Sequence, residues 1–454
     1  MNLSIVILAA GQGERMRSVF PKVLHRLAGR SLLEHVYSAV CNLPHREIYV
    51  VYGHGGRRVP EELSHLPVKW IEQTEQLGTG HAVAQVLPSI DVADTVLVLY
   101  GDVPLITTRT LNRLLDATNN DGLGLLTAEL ENPTGYGRII RDEDGAVVRV
   151  VEESDANDGE RESREVNTGI MTVSAELLKG WVDVLDNDNA QGEYYLTDIL
   201  KFAAREGVSL NTVLPGSVYE VMGVNDRAQL AQLERYYQLI QAHHLMQEGV
   251  SLSDPVRFDL RGDLEVGQDV FIDVNVVIEG IVRLGNRVSI GPNTYIRDAV
   301  IADGVSILAN CVIEDAVIGN DSQIGPFSRI RPKCKLEENV QIGNFVEVKK
   351  SHVGAGTKIN HLSYIGDTDI GKEVNIGAGT ITCNYDGAEK HRTIIGDKAF
   401  IGSDTQLVAP VKIGKGATIG AGSTITSDAP PDKLTLSRAE QKTTQGWKRP
   451  QKKK

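Results

Sequence analysis

The chain has 454 residues, too many for one ordinary hydrophobic core, so two domains are the starting expectation. Apolar residues make up 41% and charged residues 24%, an ordinary folded composition, while the net charge of −13 argues against nucleic acid as the main partner, which calls for a basic surface. No run approaches the roughly 18 apolar residues of a membrane span.

Aromatics are scarce at 5% while there are 45 glycines, a combination suited to many tight turns. The four cysteines, Cys41, Cys311, Cys334 and Cys383, are scattered and form no CxxC pair. They suggest neither a disulfide framework nor a zinc site, and they fit a reducing, cytoplasmic location. The apolar run Leu3 to Ala10 has no basic flank and ends in a glycine turn, which is not the pattern of a signal peptide.

Taken in chain order, Ser4 to Ala9 reads as a buried strand followed by a glycine turn, with a helix start expected to add its dipole there. Ser31-Leu-Leu-Glu34 is a capping box opening a helix through about Val40. Glu47 to Tyr52 and Asp94 to Tyr100 are two further buried strands. Continuous Val/Ile/Leu runs alternating with helices predict a mostly parallel, Rossmann-like α/β sheet covered on both faces. Ligands of such sheets sit beyond the carboxyl ends of the strands, so the loops after Ala9 and after Tyr100 are the places to search. Asp226 to Gln247 reads as a helix, with Leu230, Leu233, Tyr237 and Ile240 at helical spacing.

After Gly249 a period of six takes over, running from about Val266 to Ile425. Leu284-Gly-Asn-Arg-Val-Ser, Ile290-Gly-Pro-Asn-Thr-Tyr, Ile342-Gly-Asn-Phe-Val-Glu and Ile419-Gly-Ala-Gly-Ser-Thr are examples. An aliphatic first residue and a small fifth residue face inward, so each hexad is one short strand and turn, and three hexads make one coil of a triangular solenoid. Several hexads lose one residue, as at Ile296 to Val300 and Val348 to His352, and Thr382 to Arg392 interrupts the repeat with a longer insertion. The pattern resembles the left-handed parallel β-helix; the handedness is implied by that resemblance.

Residues that carry chemistry gather at the predicted loops. Leu8-Ala9-Ala10-Gly11 leads to Gly13, Arg15 and Met16, and Pro21-Lys22 supplies a second cation. Glycine lets backbone amides face phosphate oxygens, and the cations offset charge on a triphosphate. No Gly-Lys-Ser/Thr follows, so this is not a P-loop, and Met16 stands where a dinucleotide fingerprint needs its third glycine. Asp102 is by itself an ordinary turn residue as well as a candidate ligand, and Asn225 an ordinary helix cap.

Gly11-x-Gly13-x-Arg15-Met16 with Pro21-Lys22 resembles the signature of sugar-1-phosphate nucleotidyltransferases. Gln73, Gly78-Thr79-Gly80-His81, Tyr100-Gly101-Asp102, Tyr136-Gly137-Arg138, Glu152, Asn167-Thr168-Gly169 and Gly223-Val224-Asn225-Asp226 follow in an order similar to N-acetylglucosamine-1-phosphate uridyltransferase domains. Glu14 departs from the small hydroxyl residue of many relatives, which alters a side-chain contact and leaves the backbone amide. The resemblance implies that Leu8, Ala9, Ala10, Gly11, Arg15, Lys22, Tyr100 and Gly101 face UTP, with Gln73, Gly78 and Thr79 on uracil. It further implies that Gly137, Glu152 and Asn167 face the amino sugar, and that Asp102 and Asn225 hold Mg²⁺, whose preference is for oxygen ligands.

In the repeat, His361 stands third in its hexad and faces outward, as an ordinary surface histidine also would. Ala378 falls one coil further on the same face, and the insertion bears Asn384 and Tyr385. With Arg331, Lys349, Tyr364, Asn375, Ser403, Ala421 and Arg438, this set resembles the glucosamine-1-phosphate N-acetyltransferases. The resemblance implies a homotrimer with His361 as general base. Arg331, Lys349, Tyr364 and Asn375 would grip the acceptor sugar phosphate, and Ala378, Asn384, Tyr385, Ser403, Ala421 and Arg438 acetyl-CoA.

The expected layout is a uridyltransferase domain at 1–227, a linker helix at 228–249, the β-helix acetyltransferase at 250–436 and a basic tail at 437–454. Together they would convert glucosamine-1-phosphate, acetyl-CoA and UTP into UDP-N-acetylglucosamine, a precursor of peptidoglycan and lipopolysaccharide. Two rivals stay open: a hexose-1-phosphate nucleotidyltransferase whose β-helix only oligomerises, and a scaffold with a decayed site. His361 with Asn384-Tyr385 argues against the first, and intact Arg15, Lys22, Asp102 and Asn225 against the second.

Overall fold

The computed structural model describes residues 2–11, 13–118, 122–189 and 191–452. It divides into two compact units, Met1–Tyr237 and Gln238–Lys454.

The first unit is built around the fully buried strand Leu3–Ala9. It pairs in parallel with Glu47–Tyr52 on one side and Thr95–Tyr100 on the other. Lys69–Glu72 extends one edge in parallel, whereas Glu165–Ser174 lies antiparallel between Thr95–Tyr100 and Leu123–Glu129. The sheet is therefore mixed at that end. Alternate side chains of the central strand serve two cores: Ile5 and Ile7 pack with Leu33 and Val36, Val6 and Leu8 with Val83 and Val86. The helix Leu32–Val40 begins with the expected reciprocal cap, Glu34 N donating to Ser31 Oγ (3.2 Å) and Ser31 N to Glu34 Oε2 (2.7 Å).

One local expectation fails. No helix follows the first glycine loop; a single 3₁₀ turn, Glu14–Met16, stands there instead. Left-handed residues bracket it, Gly13 at φ 65° and Arg17 at φ 47°, so the turn cannot propagate. The helix dipole expected at this loop is therefore absent.

The helix Arg227–Gln247 forms where its spacing predicts, but Ile240 is exposed. The buried place falls to Gln238, whose amide donates to Leu260 O (3.0 Å) and accepts from Leu260 N (2.7 Å). A polar side chain is stable there because both ends of its amide are satisfied.

The second unit is a parallel β-helix of three faces running from Ser251 to Thr435. One face is an eleven-stranded ladder in strict chain order, in which Ile324, Ile342, Ile359, Ile376, Ile401 and Ile419 stack in a column. The other two faces share early strands: Val312–Ile318 bends round an edge and pairs with both Arg329–Ile330 and Cys334–Leu336. First and fifth hexad positions point inward, as Ile290 with Thr294 and Ile419 with Ser423 illustrate, all buried. Inward hydroxyls bond the next coil, Ser328 Oγ to Gly343 O (2.6 Å) and Thr357 Oγ1 to Gly371 O (2.8 Å).

The one-residue losses appear as register slips. Pairing between Val276–Leu284 and Tyr295–Ile301 shifts between Glu279 and Arg283. Ile330 pairs with Val348 eighteen residues on, yet Lys335 pairs with His352 only seventeen on. The long insertion is narrower than its sequence limits suggest. Thr382 and Cys383 remain in the ladder opposite Leu407 and Val408, and Thr393 resumes opposite Thr368. Thr382 stays because its hydroxyl is an inward group that accepts from Gly366 N (2.7 Å). Asn384 to Arg392 therefore form the excursion, a small hairpin with Tyr385 bridged antiparallel to Lys390.

Coils approach too closely at hexad glycines for any side chain. A Cβ on Gly343 would lie 2.1 Å from the Asn360 carbonyl oxygen, a backbone atom of the next coil. Gly343→Ala should cost about 1–3 kcal/mol as an overpacked contact. The check is a denaturant titration; an unchanged midpoint would refute the close-approach argument.

Candidate functional site

In the first unit the chain leaves the sheet at adjacent strand ends. Gly101 N donates to Leu8 O (2.8 Å), tying the loop after Tyr100 to the first strand, and Val224 N donates to Asp102 O (2.8 Å), bringing in a third segment. A cleft of about 660 Å³ opens there, lined among others by Leu8, Ala9, Ala10, Gly11, Arg15, Lys22, Gln73, Gly78, Thr79, Tyr100 and Asp102. A second cleft of about 520 Å³ takes in Gly137, Glu152 and Asn167, and shares Thr79, Tyr100, Gln191 and Glu193 with the first. The two clefts adjoin along these shared residues, a layout suited to a nucleotide joined to a sugar.

The charged centre is a three-residue contact. The Lys22 ammonium donates to Asp102 Oδ2 and to Asn225 Oδ1 (3.2 Å). The lysine stem reaches there because it lies on Gly13, where a Cβ would come within 2.7 Å of Lys22 Cβ. Asn225 does not cap the following helix; Asp226 does, its Oδ1 accepting from Gln229 N (2.8 Å). The Asn225 oxygen is thus turned to the cation. Among the described residues no three His, Cys, Asp or Glu side chains converge as a metal cluster. Asp102 and Asn225, both oxygen donors already aimed at one positive charge, are the pair that fits a hard cation.

Other expected residues take more specific places. Gln73 is buried and its amide nitrogen donates to Gly78 O (3.2 Å). The Thr79 hydroxyl accepts from Leu196 N (3.0 Å), so it anchors a distant segment as well as lining the cleft. Asn167 Oδ1 accepts from Gly169 N (2.9 Å), and a Cβ on Gly137 would crowd the Glu152 carboxylate at 3.2 Å. Gly101 packs its backbone against Ala9, Val23 and Leu33 and lines neither cleft.

Residues from Gln191 to Thr197 were missed by sequence reasoning. Gln191 and Glu193 line both clefts, Tyr195 and Thr197 the second, and Thr197 Oγ1 donates to Glu152 Oε1 (3.2 Å). The segment joins the site partly through its backbone: Gly80 N donates to Tyr194 O (2.8 Å), and a Cβ on Gly78 would meet Tyr194 within 2.8 Å. The one trace in the sequence is the pair of glycines flanking Thr79. A larger open groove, about 750 Å³ beside Leu123–Glu129, gathers none of these residues, and its Arg141 and Glu165 satisfy each other through two hydrogen bonds.

In the second unit, residues two places after the stacked isoleucines form their own outward column: Asn344 pairs with His361, and Ala378, Ser403 and Ala421 continue it. Gly379 N to His361 O (3.4 Å), Asp404 N to Ala378 O (2.7 Å) and Gly422 N to Ser403 O (2.8 Å) carry the ladder along it. His361 is exposed, as its hexad position requires. At the far end the Arg438 guanidinium donates to Ala421 O (2.8 Å). The remaining tail is exposed through Gln451 and Lys452; Lys453 and Lys454 lie outside the described residues.

Arg331, Lys349 and Tyr364 project from an adjoining face, where Lys349 pairs with Gly366 and Arg331 bonds Glu347 (2.8 Å). Asn384 is buried and Tyr385 exposed at the base of the hairpin. Asn375 is not brought to this face; it stands in the eleven-stranded ladder between Lys358 and Phe400.

Three family models match separate stretches of the chain. Residues 5–161 match the MobA-like NTP transferase domain, 260–336 the GMPPB C-terminal domain, and 392–427 the bacterial transferase hexapeptide (six repeats). Across its length the chain is similar to proteins named Bifunctional protein GlmU. Identity is 61% with that of Methylococcus capsulatus, covering 100% of this chain and 98% of the relative. It is 57% with that of Azoarcus sp. and 55% with that of Marinobacter nauticus, each covering 99% of both chains. With a nucleotide-transferase module followed by hexapeptide coils, and identity at this level from end to end, the chain belongs to the bifunctional GlmU family.

Proposed function

We propose that the protein makes UDP-N-acetylglucosamine in two transfers, acetylating glucosamine-1-phosphate with acetyl-CoA in the β-helix and then uridylylating the product with UTP in the α/β unit. The observation that carries the reading is that each unit gathers its own reactive set. In one, Lys22, Asp102 and Asn225 meet at the mouth of a nucleotide-sized cleft; in the other, a histidine heads a column of small residues ending at an arginine. The functional boundaries we assign are 1–227, 228–249, 250–436 and 437–454, and the setting is the cytoplasm.

Uridylyl transfer needs no protein nucleophile, because the sugar phosphate attacks the α-phosphorus of UTP and pyrophosphate leaves. The protein must align the two anions and offset their charge. Backbone amides around Gly11 and Gly13 and the Arg15 and Lys22 cations do this for the triphosphate. Gln73, Gly78 and Thr79 read the base, and Gly137, Glu152 and Asn167 hold the amino sugar. Nucleotidyl transfer of this kind depends on a divalent metal, and Asp102 with Asn225 would hold Mg²⁺, which would supply neutralisation of phosphate charge.

Acetyl transfer needs a neutral amine. His361 takes a proton from the glucosamine ammonium; the freed amine attacks the thioester carbonyl, the C–S bond breaks, and the second nitrogen proton passes to the sulfur so that coenzyme A leaves as the thiol. Arg331, Lys349 and Tyr364 hold the sugar phosphate, and acetyl-CoA lies along Ala378, Ser403 and Ala421, with its phosphates toward Arg438 and its acetyl end near Asn384 and Tyr385. Asn375, on another face, supports a site completed by a second copy, as does the exposed Phe400 paired beside it. The assembly we propose is a homotrimer.

The direct test supplies purified protein with UTP, glucosamine-1-phosphate, acetyl-CoA and Mg²⁺ and looks for UDP-N-acetylglucosamine. A β-helix that only oligomerises would leave acetyl-CoA untouched.

Asp102→Ala should abolish uridylyl transfer and spare acetyl transfer; near wild-type turnover with unchanged metal dependence would remove Asp102 from the site. His361→Ala, at an outward position, should leave melting unchanged and slow acetyl transfer by roughly 10²–10⁴-fold. A folded variant within a few-fold of wild type would sink the general-base role.

Burial pushes the Glu152 carboxyl above its ordinary range, reinforced by Asp198 and Asp155 and opposed by the hydrogen bond from Thr197. A folded pKa raised above the unfolded value gives stability that is full below the ordinary value of 4.5 and is lost as pH rises through the folded pKa. Glu152→Gln should therefore raise the melting temperature at pH 7.5. The gain should shrink as pH falls below the carboxylate range, which a pH series of melts would reveal; a gain that grows on acidification would reverse the assignment.

A further inference from the structure

Asp367 is not among the residues expected to touch substrate, yet two of them meet on it. It sits at the corner after Tyr364–Gly366, buried, in the left-handed region at φ 49°. Its backbone N donates to Lys349 O (3.0 Å), and its carbonyl accepts from Thr393 N (3.3 Å), where the ladder resumes after the hairpin. On the side chain, Oδ2 accepts from Asn384 Nδ2 (2.5 Å) and lies 3.8 Å from Lys349 Nζ, while Oδ1 lies 3.8 Å from Lys350 Nζ. One carboxylate thus joins a residue assigned to the sugar phosphate with one assigned to the acetyl donor.

The neighbouring glycine shows how closely these groups converge. A Cβ on Gly366 would lie 2.5 Å from the Tyr364 hydroxyl and 2.8 Å from Asn384 Nδ2. Tyr364 and Asn384 therefore share the space above one glycine, and the amide's orientation decides whether a donor or an acceptor faces it. A carboxylate only accepts, so it can pair with the nitrogen end of the amide alone. An asparagine in its place would tolerate either end.

We infer that Asp367 is a positioning residue for acetyl transfer: it fixes the Asn384 amide with its carbonyl turned away from the carboxylate. The inference rests on the acetyl-transfer reading of this unit.

The test uses the full-length chain and the variants Asp367→Gly, Asp367→Asn, Asn384→Ala and Asp367→Gly/Asn384→Ala. Glycine and asparagine both accept the left-handed corner, so the backbone is not strained by either change. Asp367→Gly should lower the acetyl-transfer kcat by about tenfold or more, the scale on which misplacement of a reacting group is felt. The KM for glucosamine-1-phosphate should stay within about threefold, because the cations remain, and Asp367→Asn should recover part of the loss. Uridylyl transfer should not change. In the double variant, Asp367→Gly should add nothing to Asn384→Ala, because the carboxylate acts through the amide. Losses that multiply, or an Asp367→Gly enzyme with full kcat beside an impaired Asn384→Ala, would overturn the inference alone. A wild-type chain that transfers no acetyl group would overturn the acetyl-transfer reading and the inference with it.

Discussion

Each coil of the second unit must turn three corners within seventeen or eighteen residues, and a left-handed residue, fourth in a full hexad and third in a shortened one such as that of Asp367, makes those corners possible. Asn293, Asn310, Asp321, Asn339 and Asp404 take this role with φ between 54° and 62°, as short polar side chains do readily. Phe327, Phe345 and Leu362 hold the same conformation against the ordinary steric cost of about 1–2 kcal/mol each. The stacked isoleucines and the ladder hydrogen bonds on both sides leave them no alternative. Once the corners are set, every other position follows, including the outward column that holds His361 above Ala378, Ser403 and Ala421. Neither the histidine nor the small residues select their own neighbours; the corner does.

The first unit reaches its chemistry by a different economy. Lys22 opens a single 3₁₀ turn, Lys22–Leu24, while Asp102 and Asn225 come from two separate loops with no regular element beneath their side chains. Their alignment depends on strand ends that stop together and on Gly13, whose missing side chain gives the lysine stem a surface to lie on. The rigid sheet supplies the positions, and the loops supply the charges.

Legibility in the sequence followed the same division. Leu3–Ala9, Glu47–Tyr52 and Thr95–Tyr100 announce themselves because strands buried on both faces are apolar without interruption. The hexads do so because a position that repeats every coil cannot vary freely. What escaped notice has no such period. The Gln191 to Thr197 segment reaches the clefts partly through carbonyls and amides, which any residue carries. Asn225 reads equally as a helix cap or a ligand, and only the bond from Gln229 N to Asp226 Oδ1 assigns the cap to its neighbour. Ile240 keeps helical spacing while Gln238 takes the interior, since a two-ended amide meeting a strand edge outweighs one apolar contact. Asp367 reads as one more corner aspartate, and only its neighbours distinguish it.

The hairpin from Asn384 to Arg392 leaves the ladder after Cys383 and returns at Thr393 in register with Thr368, so the coil beneath it closes as though nothing had been inserted. Closure entropy grows only with the logarithm of loop length, by about 0.6 kcal/mol per doubling. A solenoid corner of this kind is a socket: the prism presents two fixed backbone ends a short distance apart, and the segment between them can change in length or composition without disturbing the isoleucine column. The scaffold and the excursion are then free to diverge at different rates, the one constrained by packing and the other by what it must touch.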